Sequence, residues 1–216
     1  MTFNLAILTP TTGLCRAGYT YSLAKLIMYF SQNRVLPECP DQIVDYHTIE
    51  GSGISANREA LIVDALKTEA THILFIDEDM GFDPRALHVL ANKRQKIVGC
   101  NYPMRGPGKG FTALTPDKKA RIVTGPQSCG LEPAFYTGFG FCLIERSVFE
   151  VAKRPWFLMG YDLDHNHYST EDAALGNQLA QLGVPWFVDH DASKMVVHIG
   201  TYNYAFNSEV IHGNTA

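Results

Sequence analysis

His72-Ile73-Leu74-Phe75-Ile76-Asp77-Glu78-Asp79 changes character halfway along, where four apolar residues run straight into three acids. An unbroken apolar run of strand length is what a strand needs when both its faces are covered, as in a parallel sheet sandwiched by helices. The acids then mark the carboxyl end of that strand, and period-two geometry predicts Asp77 and Asp79 on the same side of it. Open α/β sheets take their ligands at this edge. Two carboxylates placed there can hold a hard divalent cation that in turn grips a diphosphate. The same acids also fit a plain solubilising loop.

The chain on either side agrees with a parallel, helix-covered sheet. Residues 3–8 form a short apolar run bounded by Thr9 and Pro10, which predicts a first buried strand. Tyr19, Leu23, Leu26 and Phe30 recur at i, i+4, i+7 and i+11, one apolar stripe of a helix that Pro37 and Pro40 stop. Residues 42–49 read as a second strand, and Ser55 is placed to cap a helix running to Lys67. After the acidic stretch, Asp83 and Pro84 suit the N-cap and first position of another helix, and residues 97–100 close the alternation with a strand.

From residue 101 to 140 Gly and Pro punctuate short pieces, 111–114 and 121–124, with a turn at Pro116-Asp117-Lys118, so a small antiparallel portion is expected. Residues 139–145 resume a buried strand. Ser147 with Glu150 has the form of a capping box, and Ser169 with Asp172 repeats it. Leu175, Leu179 and Leu182 give a helical face that Gly183 and Pro185 end, and residues 186–188 and 195–198 are the last strands. The fold class is therefore α/β, a mainly parallel sheet covered by helices with a small antiparallel portion. One domain spans 1–200, with a nucleotide-binding layer over about 1–100. Residues 201–216 form a polar and aromatic tail, either an arm or a loop that folds over a ligand.

The composition excludes several classes. The chain has 216 residues, 46% hydrophobic and 19% charged, enough to bury a core without disulfides, and it lacks the bias of disordered, collagen-like or coiled-coil chains. No apolar run reaches the roughly 18 residues of a membrane span, and the first ten residues do not read as a signal peptide. A soluble cytoplasmic protein is expected. Five cysteines without a CxxC pair read as reduced and mostly buried. The 18 basic against 22 acidic residues give no general attraction to phosphate backbones, although Lys93, Arg94 and Lys96, and Lys118, Lys119 and Arg121, form local basic clusters.

Other residues compete for a chemical role. Glu171-Asp172 opens a helix, where acids also complement the helix dipole. His198 ends an apolar strand and is either a structural histidine or a metal ligand. Gly51-Ser52-Gly53-Ile54-Ser55-Ala56 has the outline of a dinucleotide fingerprint, but it follows the second strand rather than the first and does not cleanly meet the requirement for a strand-closing acid about 20 residues on. Asp162, Asp164, His165 and His167 form a cluster with the donors for a metal, but consecutive polar residues between Gly160 and a helix cap suit an exposed loop, with His165 and His167 in reach of an acceptor-side lid.

Taken together, an early strand ending in Thr9-Pro10, a helix carrying Asn57-Arg58, the run into Asp77-Glu78-Asp79, a Gly138-Phe139-Gly140 strand, then Glu171-Asp172 and His198, resemble family 2 glycosyltransferases of the GT-A fold, above all short single-domain members of the kind found in phages. The resemblance covers about residues 3–200. It implies a nucleotide-sugar donor, a UDP-sugar first among them, with Thr9, Pro10 and Thr11 lining the base, Arg58 near base or diphosphate, Asp77 and Glu78 on the donor side, and Asp77, Asp79 and His198 around Mn2+ or Mg2+. It further implies that residues 101–200 bind the acceptor, that Asp172 is the general base of an inverting displacement and that Glu171 positions it. Gln178 and Gln181 are followed by no Arg-Trp, so the motif of the processive branch is missing. The acceptor stays open between a glycan, a small molecule and a modified DNA base, and so does the oligomeric state. Two other readings are a nucleotidyltransferase or pyrophosphorylase, which the single glycine after the first strand disfavours, and a non-catalytic nucleotide- or carbohydrate-binding module.

Overall fold

Alternate residues of the two central strands feed two different cores. The structure, a computed structural model, describes residues 2–106, 109–162, 166–200 and 203–204. In β1 (Thr2–Thr11) Phe3, Leu5 and Ile7 face one side and Ala6 and Leu8 the other; in β3 (His72–Ile76) Leu74 and Ile76 face the first side and Ile73 and Phe75 the second. Helices α1 (Ala17–Gln32) and α3 (Ala86–Asn92) cover the first face through Tyr19, Leu26, Phe30, Leu87 and Leu90. Helices α2 (Ile54–Ala65), α4 (Arg146–Val151) and α5 (Glu171–Gln181) cover the second through Leu61, Ile62, Val148, Phe149, Leu175 and Leu179. Burial on both faces is why these strands show no alternation of polar and apolar residues.

The remaining strands of this sheet are β2 (Asp41–Glu50), β5 (Ile97–Gly99), β6 (Leu131–Ala134), β7 (Phe141–Glu145) and β10 (Trp186–Asp189), in the spatial order β2-β1-β3-β7-β5-β10-β6. β2, β1, β3, β5 and β10 run one way, and β7 and β6 the other. A second sheet is antiparallel and joins β12 (Asn203–Tyr204), β11 (Val196–Ile199) and β4 (Met80–Phe82). A hairpin of β8 (Tyr161–Asp162) and β9 (His167–Tyr168) precedes α5, and a short α6 (His190–Ser193) follows β10. This is the helix-covered, mainly parallel sheet with a small antiparallel portion that the sequence predicts. Strands from before and after residue 100 interleave in the one large sheet. No helix among the described residues is long and apolar enough to cross a membrane.

Several local expectations are corrected. β1 runs past Pro10 because Leu8 is the last residue paired with β3, and beyond it the strand continues on β2 alone, with Pro10 opposite Ile49. Ser55 lies inside α2, whose N-cap is Gly53. Asp83 caps one turn earlier than α3, its Oδ1 accepting from Arg85 N–H at 2.9 Å. Neither capping box forms. Ser147 donates to Glu145 while Glu150 pairs with Arg146, and the N-cap of α5 is Thr170, whose hydroxyl accepts from Ala173 N–H at 3.3 Å. Ser169 bonds Gly160 instead, which leaves Asp172 free of any capping duty. The strand expected over 139–145 starts at Phe141, since Gly138 and Gly140 are taken up by the close approach of Tyr102. The turn at Pro116-Asp117-Lys118 forms as expected, with Lys118 N–H on Thr115 O at 2.8 Å and Leu114 bridging both Arg121 and Tyr136. All five cysteines are free, and Cys39, Cys100 and Cys142 are buried.

Candidate active site

The three acids do not prolong β3. Met80 N–H closes a turn on Asp77 O at 3.1 Å, so the period-two placement of Asp77 and Asp79 is lost and the two carboxylates meet different partners. Asp77 turns to Arg58, with Nη2 at 2.9 and 3.2 Å from its two oxygens. Asp79 turns to His198 and Arg105. Glu78 ties the turn to the end of β1, accepting from Thr11 Oγ1, from Thr12 N–H at 3.0 Å and from Thr12 Oγ1 at 2.6 Å. Burial alone would raise the pKa of Glu78, but these hydrogen bonds, with the nearby charge of Arg105, carry it below the ordinary value.

Arg58 is the centre of the arrangement. Helix α2 delivers it, 3% exposed, under the carboxyl ends of β1 and β3. Its guanidinium meets Asp77, Glu171 Oε1, and Asp172 Oδ1 at 3.8 Å, and its plane lies over the Phe139 ring at 4.9 Å. Burial would strip its proton more readily, yet the charges of Asp77, Asp172 and Glu171 outweigh that and hold it ionised. Three carboxylates on one cation leave an excess of negative charge in a dry place. Asp172 takes the consequence: burial first, then repulsion from Glu171, push its pKa up to about 8 against the attraction of Arg58. Its Oδ1 and the Nε of Arg58 have no hydrogen-bond partner among the described residues.

Asp79 and His198 come together across 119 positions of sequence, Oδ2 to Nε2 at 3.3 Å, because β11 pairs with β4 immediately after the turn. His198 Nδ1 donates to Pro103 O at 3.1 Å, which leaves the Nε2 lone pair to accept from Arg105 Nε, also at 3.1 Å. Burial, aided by Arg105, lowers the pKa of this imidazole against the Pro103 carbonyl and Asp77. A carboxylate oxygen and an imidazole nitrogen thus converge on one point, and a cationic side chain, Arg105, is already drawn there. That donor chemistry suits Mn2+ or Mg2+, which commonly take one or two protein ligands and complete their shell with phosphate and water. Among the described residues no three His, Cys, Asp or Glu side chains gather around a single point; Asp77, also expected at the metal, pairs with Arg58 instead.

These groups share a cleft of about 230 Å³, walled by Pro10, Thr11, Thr12, Gly51, Ser52, Asn57 and Arg105 with the acidic turn. Of the residues anticipated from sequence, Pro10, Thr11, Asp77, Glu78 and Asp79 line it, Arg58, Glu171 and Asp172 form the buried cluster beside it, and His198 reaches Asp79 from β11. Thr9 does not line it: fully buried, it shares a hydrogen bond of 2.5 Å with the Tyr19 hydroxyl. Asp164 and His165 lie outside the described residues, as do the side chains of Asp162 and His167 and, apart from the β12 backbone, the tail from 201. Sequence reasoning missed Arg105 at this site and grouped it instead with Lys109, Lys118 and Lys119 in a basic patch that could meet a DNA acceptor. It also missed Tyr102, whose buried hydroxyl accepts from Gly140 N–H at 2.8 Å and whose ring meets His198 edge-on at 5.4 Å. The glycines of Gly138-Phe139-Gly140 were its only trace, since a Cβ on residue 140 would lie 2.7 Å from Tyr102 Cζ.

No protein family profile matches the sequence, and no curated protein matches it either. The fold is shared with A197 from STIV. That crystal structure superposes with a TM-score of 0.63 at 17% identity, over 99% of this chain and 96% of that one. The likeness extends through the whole chain and is one of fold. A glycosyltransferase involved in the glycosylation of the major capsid of PBCV-1 gives a TM-score of 0.44 at 11% identity, over 90% of this chain and 91% of that one, a level that bears on neither fold nor function.

Proposed function

We propose that the chain is a metal-dependent glycosyltransferase that moves a sugar from a nucleotide-sugar donor, a UDP-sugar in the first instance, to an acceptor hydroxyl with inversion and without processive elongation. The observation that carries this reading is the gathering of acids from the end of β3 and the start of α5 on buried Arg58, beside a cleft bounded by the ends of three parallel strands. Donors of a nucleotide class fit that edge of an α/β sheet. Thr11 and Thr12, fixed by Glu78, shape one wall for the nucleoside, and Asp77 presents a carboxylate to its ribose. Asp79 and His198 would hold Mn2+ or Mg2+; when bound, the cation neutralises charge that develops on the leaving nucleoside diphosphate.

Asp172 is the general base in this reading. A carboxylate whose pKa stands at about 8 is a far stronger base than an ordinary one, provided it is ionised when the acceptor arrives. Arg58 ties Glu171 and Asp172 together, and Asp172 Oδ1, buried 3.8 Å from that guanidinium and without a hydrogen-bond partner among the described residues, is the atom assigned to take the acceptor proton. The acceptor would be a glycan, a small molecule or a modified DNA base, and the setting the cytoplasm, that of the host if the chain is viral. The test is a panel of nucleoside diphosphates and nucleotide sugars in thermal-shift assays with Mn2+ or chelator, followed by transfer assays with the donor that binds. Asp79→Ala should abolish metal-dependent donor binding, while Asp172→Asn should bind donor and fail to transfer. Loss of donor binding in Asp172→Asn would refute this division of roles.

A further inference from the structure

We propose that Arg105 is an internal counter-cation that occupies the Asp79–His198 pair until a diphosphate draws it away, so that metal and nucleotide enter the site together. The inference rests on the reading of that pair as the metal ligands. Its basis is an atom-level conflict. With its Nδ1 proton committed to Pro103 O, His198 has one remaining lone pair, on Nε2, and Arg105 Nε donates to it at 3.1 Å. The same guanidinium is ion-paired with Asp79 Oδ2, the oxygen that faces His198. One imidazole lone pair cannot serve a guanidinium N–H and a metal ion at once. Metal binding therefore requires Arg105 to leave.

Arg105 is built to leave and to stay near. Its side chain is 51% exposed, against 12% for Asp79 and 15% for His198, so the cation can move while the two ligands stay packed. Its neighbours are fixed beside the cleft, Pro103 by its bridge to Phe111 and Met104 by its N–H on Gly110 O at 2.9 Å. It already lines that cleft with Thr11, Thr12 and Ser52. A guanidinium released there meets whatever anion the cleft holds, and its fork of N–H groups matches phosphate oxygens bidentately. The diphosphate thus takes the arginine, and the vacated carboxylate and imidazole take the metal. By linkage each ligand then strengthens the other by the same factor.

The test is Mn2+ titration of the full chain, free Mn2+ being read by electron paramagnetic resonance, with and without UDP. Without nucleotide, Arg105→Ala should bind Mn2+ about two- to fivefold more tightly than the natural chain, the range expected for freeing a half-exposed ion pair. Arg105→Lys should fall between them, the gain should vanish in the Asp79→Ala, Arg105→Ala double variant, and the tightening of Mn2+ by UDP should shrink by at least the same factor. If the natural chain binds Mn2+ in an Asp79-dependent manner and Arg105→Ala binds it equally or more weakly, the counter-cation role is wrong while the metal reading stands. If no Mn2+ binding that depends on Asp79 is found with or without UDP, both fall.

Discussion

Replacing Asp172 by Asn should stabilise the folded chain at neutral and alkaline pH while removing transfer. The carboxyl is lifted from its ordinary 3.8 to about 8, first by burial and then by Glu171. An unfolded chain releases this proton near pH 3.9, so between there and about pH 8 the folded state binds the extra proton. Stability contributed by this group is therefore complete below about pH 4 and is lost as pH rises through about 8, at a slope of up to about 1.4 kcal/mol per pH unit. The interval from 3.8 to about 8 caps the effect near ~6 kcal/mol. Asp77 and Glu171 share the same guanidinium and absorb part of the strain, so an advantage of about 2–4 kcal/mol for Asn at about pH 9 is expected. Urea unfolding of both proteins at about pH 5 and about pH 9 measures it. An advantage that stays constant between the two pH values, or shrinks toward the alkaline one, would show that Asp172 is ionised in the fold and that the burial argument is wrong.

Four further outcomes follow from the same geometry. The rate of transfer at saturating donor should climb as pH rises through about 8, where Asp172 loses its proton, and a flat profile from neutrality upward would exclude it as the base. Asp79→Ala should erase the thermal shift that Mn2+ adds to nucleotide binding, whereas Glu132→Ala, on the far strand β6, should leave it intact. Arg58→Met should cost about 3–5 kcal/mol in urea unfolding at neutral pH, because the carboxylates of Asp77 and Glu171 lose their shared cation, and the loss should lessen on acidification. Gly140→Ala should cost about 1–3 kcal/mol, since the new methyl has to displace the buried Tyr102 ring, and an unchanged denaturation midpoint would mean that ring yields freely.

Much of this architecture is legible in local pattern. β3 ends where the apolar run meets the acids, as the strand read over 72–76 requires, and the buried residues of α1 include Tyr19, Leu26 and Phe30 of the predicted stripe. The short strands β4 and β6 were not legible: Met80–Phe82 is three residues long and Leu131–Ala134 contains a proline, so neither carries a periodic signal. Caps were misread where two polar residues stood side by side. Ser169 and Thr170 are equally able to cap α5, and only the bond from Gly160 to Ser169 decides for Thr170. That decision matters for chemistry, because it turns Asp172 from a helix cap into a buried carboxyl with an unsatisfied oxygen.

The sequence by itself determined that strands and helices alternate, that the strands are covered on both faces, and that acids stand at the end of one of them. Burial of apolar surface acts on each segment through its own period, so a one-dimensional pattern carries it. Only the tertiary structure decided that Asp77 and Asp79 part company at a turn, that Arg58 gathers Asp77, Glu171 and Asp172, and that Arg105 stands between Asp79 and His198. The gatherings at Arg58 and at Asp79 are charge contacts between residues 19 to 119 positions apart. Their strength depends on distance and on the exclusion of water, neither of which exists until the sheets have closed.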